Sequence, residues 1–205
     1  IQSIVDYVEG RMPINVFREE FLTNSNLQKV LKEPMDQKYE YLKDYDFQLY
    51  NLFMNGYIYK KSNWNTVRIK FGLQAELEEF LDQQNIIYKK FTKYDDAYSF
   101  ILDIQPSWVF CVDDQGIYDK ILEEVPKEKD ISKTKQIAWG KARIKELFRY
   151  DKTYPRWVQS PEWPIVNGKP LVFSHQSKEK KDDERVYYNF YDPETKEETV
   201  VMQLY

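Results

Sequence analysis

A chain of 205 residues has room for one generous domain or two small ones. Charged side chains of both signs make up 31% of it, and the net charge of −4 argues against a strongly anionic partner such as nucleic acid or an acidic membrane surface. One cysteine, Cys111, excludes an internal disulfide framework and a cysteine-based zinc cluster, and no apolar run reaches the length of about 18 residues that a membrane helix needs.

The N-terminus carries neither a basic n-region nor an apolar h-region, so the expected compartment is the cytoplasm. Ile1, Ile4, Val5 and Val8 recur at helical spacing, and Gly10 is placed to end that helix. Pro13 opens a second helix with Val16, Phe17, Phe21 and Leu22 on its buried face. Asn24 and Ser25 cap a third, which carries Leu27, Val30 and Leu31 and stops at Pro34. Residues 37–54 read as a fourth helix.

From Trp64 the period changes. Thr66–Phe71 alternates polar and apolar residues, as a half-buried strand does, and leads through Gly72 to a helix with Leu73, Leu77, Phe80 and Leu81. Ile86–Phe91 is a second strand candidate. Thr92 with Asp95 resembles a capping box for a helix that Pro106 ends. Trp108–Val112 is a continuous apolar run of the kind found in buried strands. Together these predict strand–helix–strand–helix–strand crossovers, with Asp113 and Asp114 at a strand's carboxyl end, where ligands sit in open α/β sheets.

Two more helices follow, at Ile117–Glu124 and Ser132–Arg149, the second with Gly140 in its middle. Leu171–Phe173, Arg185–Tyr191 and Thr199–Tyr205 read as three strands, with a hairpin turn at Asp192–Glu197 and a solvated, mobile loop at Ser177–Glu184.

Catalytic signatures are missing. There is no Walker A loop, no G-x-G-x-x-G and no G-x-S-x-G elbow, and His175 is the sole histidine. A Cys111–His175 dyad is formally available, but Cys111 lies in an apolar run, where a thiol is usually inert. The pairs Asp113-Asp114 and Glu123-Glu124 are adjacent carboxylates, not groups set across a pocket as acid–base work requires. Neither a metal nor a cofactor is expected. Charge is uneven, with an acidic stretch over residues 95–130 followed by the basic helix 132–149. Such runs are usually solvated or mutually facing surfaces; the functional readings are an acidic face for a basic protein or a basic helix for phosphates.

Tyr154–Gln176 gathers four prolines, Trp157, Trp163, the Asn167-Gly168 turn and the only histidine into 23 positions. Proline fixes its own φ and extends the residue before it, so both indoles ride on a stiff path. They either seal a core or, with Arg156, present a preorganised binding edge, since Trp and Arg are enriched in interface hot spots. The pattern Pro155-x-Trp157-x-Gln159-x-Pro161-Glu-Trp163-Pro164, then Gly168-x-Pro170-Leu171-x-Phe173-x-x-Gln176, resembles the tail motif of bacterial proteins grouped with immunity proteins of polymorphic toxin systems. It is also similar to the WP…GxPLxFxxQ segment of the YwqG-like bacterial family. The resemblance covers about a tenth of the chain and implies a bacterial, cytoplasmic, non-catalytic protein that binds a toxin.

The expected fold is α+β: a helical N-terminal part over residues 1–62, then residues 63–205 with a mixed β-sheet, helices, a Trp/Pro-rich junction at 154–176 and a C-terminal antiparallel meander. The expected function is non-enzymatic protein binding, with a toxin as partner and Asp113, Asp114, Glu123, Glu124, Arg156, Trp157 and Trp163 as contact candidates. The alternatives are a small-molecule or enzymatic site near Asp113 and Asp114, and nucleic-acid binding through the basic helix.

Overall fold

The structure is a computed structural model, and it describes residues 1–32, 66–110, 115–127, 131–179 and 182–205. The helix expected at 37–54 and the boundary expected at 62/63 lie outside these residues. The fold is α+β: among the described residues, seven α-helices precede two antiparallel sheets. The chain divides into two compact units, Ile1–Tyr98 and Ser99–Tyr205. No helix among the described residues is long and apolar enough to cross a membrane.

In the first unit, α1 (Gln2–Val8), α2 (Ile14–Thr23) and α3 (Ser25–Leu31) start and stop where the sequence signals them. Pro13 holds the N-cap of α2 in extended backbone, and the Asn24 side chain accepts from the N–H groups of Asn26 and Leu27. Ile14, Phe17 and Phe21 define the buried face of α2, while Val16 and Leu22, expected on that face, flank it and are exposed. These helices pack with α4 (Val67–Gln83) around Ile4, Tyr7, Phe17, Phe21, Leu77 and Leu81. Gly10 has φ 74, and a Cβ there would stand 2.6 Å from the Phe91 ring, so only glycine fits the turn.

Thr66–Phe71 is not a strand but the first turns of α4. The Thr66 hydroxyl caps the helix by accepting from Ile69 N–H, and Val67, Leu73, Leu77, Phe80 and Leu81 then form a continuous buried stripe. Six alternating residues carry little weight against such a stripe, because propensity differs by well under about 1 kcal/mol per residue. Ile86–Phe91 is outside regular structure. Its backbone is bonded by side chains in place of a neighbouring strand: Lys89 N–H donates to Glu9 Oε1, and the Phe91 carbonyl accepts from Gln74 Nε2. After α5 (Lys93–Ile104), Trp108 and Val109 are buried as expected but sit in a 3-10 turn, Ser107–Val109. Their carbonyls accept from Trp157 Nε1–H and the Tyr118 hydroxyl, so no strand ladder is needed. Among the described residues the expected crossover pattern therefore does not form.

In the second unit, α6 (Ile117–Glu124) and α7 (Lys133–Leu147) precede a hairpin of β1 (Ile165–Val166) and β2 (Lys169–Pro170). Asn167 at φ 52 and Gly168 at φ 71 make its two-residue turn, the geometry that Asn-Gly favours. The meander follows as β3 (Val172–Glu179), β4 (Asp182–Tyr191) and β5 (Glu198–Leu204), with β4 central. The polar run expected as a mobile loop is mostly strand, because β3 and β4 keep pairing through Lys178↔Val186 to Glu179↔Asp182. Val186, Tyr188 and Phe190 of β4 point into the core, and their neighbours point outward.

Gly140 lets α7 approach Ile104, whose Cγ2 would lie 2.6 Å from an added Cβ. Gly140→Ala gains about 1 kcal/mol of helix propensity but overpacks this contact at a cost of about 1–3 kcal/mol. A lower denaturant midpoint is expected; a raised one would show that the close approach is dispensable.

Candidate protein-binding surface

Among the described residues the Trp/Pro segment has no strand partner over Tyr154–Pro164, and side chains of the meander bond its backbone instead. Gln176 Oε1 accepts from Arg156 N–H at 2.8 Å. The Tyr188 hydroxyl donates to the Arg156 carbonyl and accepts from Val158 N–H, both at 2.9 Å. Gln203, only 2% exposed, accepts from Gln159 N–H at 3.1 Å and donates to the Ser160 carbonyl at 2.8 Å. Burial pushes the Tyr188 phenol above its ordinary value, against the opposing pull of the Val158 N–H bond.

This strapping places the indoles. Trp163 is 4% exposed, sits among Trp108, Phe148, Phe173 and Phe190, and donates Nε1–H to the Leu171 carbonyl at 2.8 Å. It is a core residue and offers no contact surface. Trp157 is half-buried, with its ring 4.4 Å from Tyr188 and its Nε1–H bonded to the Trp108 carbonyl at 2.9 Å. Arg156 is exposed. Of the segment's three candidates, then, only Arg156 stands fully at the surface.

Asp113 and Asp114 lie outside the described residues, as does Cys111. Glu123 and Glu124 are exposed on α6. Glu124 is occupied: Arg143 donates to it at 2.8 and 3.3 Å, and also reaches Glu146 at 3.1 Å. Those bonds raise the Arg143 guanidinium above its usual range. Lys133 Nζ lies 3.6 Å from Asp103. The acidic and basic stretches therefore face each other at both ends of α7, and pairs this exposed contribute at most about 1 kcal/mol each. His175 is exposed on β3, its Nδ1 3.1 Å from Ser174 Oγ. Among the described residues no three His, Cys, Asp or Glu side chains converge as a metal site would require.

In the first unit, Asp82, Asn85, Ile86, Ile87, Tyr88 and Lys90 line a wide, open recess of about 540 Å³. Desolvation, followed by the Glu78 and Asp82 carboxylates, pushes the Tyr88 phenol up to about 12. A recess this open, with one carboxylate in its lining, lacks the enclosed pair of groups that acid–base chemistry uses.

The surface that stands out is the outer face of the meander. Val200, Met202 and Leu204 are 53, 47 and 45% exposed. In the ladder they stand beside Asn189, Tyr187 and Arg185 of β4, with Ser177 and His175 of β3 beyond. Tyr191 extends this face; its hydroxyl donates to Asp151 Oδ1 at 2.9 Å, which raises the phenol above its ordinary value. The strand reading of Thr199–Tyr205 contains this face, but Val201 between Val200 and Met202 blurs the alternation that would have assigned it outward.

Comparison with protein families, with curated proteins and with solved structures finds no match for this chain.

Tyr188→Phe keeps the ring and removes the hydroxyl that bonds two backbone groups of the segment. The expected loss is about 1–3 kcal/mol, the cost of stranding buried polar groups, read as a lower urea midpoint at unchanged m-value. An unchanged midpoint would mean the segment does not depend on the strap.

Proposed function

We propose that this protein binds another protein through the outer face of its C-terminal meander and catalyses no reaction. One observation carries the reading: Val200, Met202 and Leu204 stand about half exposed on one sheet face, flanked by Tyr187, Asn189 and Arg185. An apolar stripe rimmed by tyrosine and polar groups has the anatomy of an interface, where a tyrosine adds contact area with few torsions to immobilise. Arg156 and Glu123 are exposed as well, but Arg156 lies on the segment that covers the sheet's inner face and is not part of this stripe.

The partner is a bacterial toxin, and the protein its immunity partner in the bacterial cytoplasm. The support is the likeness of residues 155–176 to proteins grouped with toxin immunity. Neutralisation by covering an active site also needs a complementary surface and no catalytic group.

Co-expression of the tagged chain with its neighbouring open reading frame should retain that product at one-to-one stoichiometry. Tyr187→Thr, which keeps β propensity and removes the ring, should weaken the complex by about tenfold or more without lowering the unfolding midpoint. A chain that retains no stoichiometric partner, or a complex indifferent to Tyr187→Thr, would contradict the reading.

A further inference from the structure

The two edges of the meander differ. β3 is protected: register shifts interrupt it between Phe173 and His175 and between Lys178 and Glu179. The chain before the Trp/Pro segment also covers one end of it. Tyr150 bridges Phe173 in parallel, Phe173 N–H donates to the Arg149 carbonyl at 2.9 Å, and Asp151 N–H donates to the Phe173 carbonyl at 3.0 Å. Bulges and covering segments are the devices by which sheet edges avoid pairing with other chains.

Among the described residues, β5 has none of them. Its pairing with β4 runs without a shift from Glu198 to Leu204, and from Thr199 to Tyr205 it carries no proline, glycine or charged side chain. The phase of its hydrogen bonds follows from its two ends: Asp192 N–H donates to the Glu197 carbonyl and Tyr205 N–H to the Glu184 carbonyl. Alternation then turns the N–H and C=O of Thr199, Val201 and Gln203 toward β4, and those of Glu198, Val200, Met202 and Leu204 toward the open edge. The edge that offers backbone groups is thus built from the same residues that expose Val200, Met202 and Leu204.

We infer that β5 pairs antiparallel with β5 of a second copy of this chain, about a two-fold axis at Met202. A two-fold interface must be self-complementary, and this register is. Met202 meets its own counterpart, Val200 meets Leu204 in both directions, and Val201 meets Gln203. The one charge on the strand, Glu198, falls outside the paired stretch, so no like charges oppose each other. All pairs that turn their backbone groups to the edge are apolar, and their closure adds about six hydrogen bonds, two for each such pair. The meander becomes a six-stranded sheet, and the apolar stripes of the two copies merge into one face. The pairing requires no toxin, so it stands or falls separately from the function proposed above.

The test uses the purified full chain in sedimentation equilibrium over a dilution series. The wild type should sediment at twice the mass of one chain. Met202→Lys and Met202→Glu should each sediment as a single chain, their association weakened about a hundredfold by like charges held face to face. An equimolar mixture of the two variants should recover the double mass, because position 202 faces only itself. Hydrogen exchange gives a second reading without substitution: the amides of Val200, Met202 and Leu204 should slow as concentration rises. Wild type at single-chain mass, variants that each remain dimeric, a mixture that fails to pair, or edge amides indifferent to concentration would overturn the inference.

Discussion

Pro155, Pro161 and Pro164 leave Tyr154–Pro164 without a ladder of its own, yet its carbonyls and N–H groups must be bonded where they are buried. The second unit depends on how this is met. Gln176, Tyr188 and Gln203, one from each strand of the meander, reach up from the sheet and bond the segment at Arg156, Val158, Gln159 and Ser160. With the backbone held at those points, Trp163 enters the aromatic cluster and Trp157 lies over Tyr188. The segment is therefore the cover of the sheet's inner face, and its rigidity serves folding.

That assignment moves the proposed binding surface. A segment rich in Trp, Pro and Arg has the composition of a binding edge, but most of its apolar area is spent inside the unit. What remains exposed is the opposite face of the same sheet, where β5 carries Val200, Met202 and Leu204. Inner and outer faces alternate along one strand, so covering one with the Trp/Pro segment leaves the side chains of the other exposed. An edge whose pairing with β4 runs without a shift lets one strand serve both proposed associations, through side chains and through backbone.

Much of this was legible in the sequence. The α+β class, the caps of α2 and α3, the Asn167-Gly168 turn and the three meander strands all have local signals, and local chemistry decided them. The failures lie in short runs. Thr66–Phe71, Ile86–Phe91 and Trp108–Val112 are short runs that read as strands; the first is taken over by the longer buried stripe of α4, and the other two, over their described residues, are bonded by distant groups. A glutamate 80 residues away takes the Lys89 N–H, and an indole 49 residues away takes the Trp108 carbonyl. The straps are equally non-local: Gln203 acts across 44 residues and Tyr188 across 30, and nothing near either in sequence marks it for that role. Asp113 and Asp114 drew attention only as the end of an expected strand, and the run before them forms a 3-10 turn over Ser107–Val109.

The central claim is that side-chain straps hold the Trp/Pro segment as part of the cooperative fold, and native-state hydrogen exchange addresses it most directly. Among the described residues the amides of Arg156, Val158 and Gln159 are bonded to side chains alone, so a loosely attached loop would exchange them quickly. The account predicts that they exchange with the same opening free energy as the β4–β5 ladder. Exchange as fast as that of the exposed Glu194–Lys196 turn would contradict it.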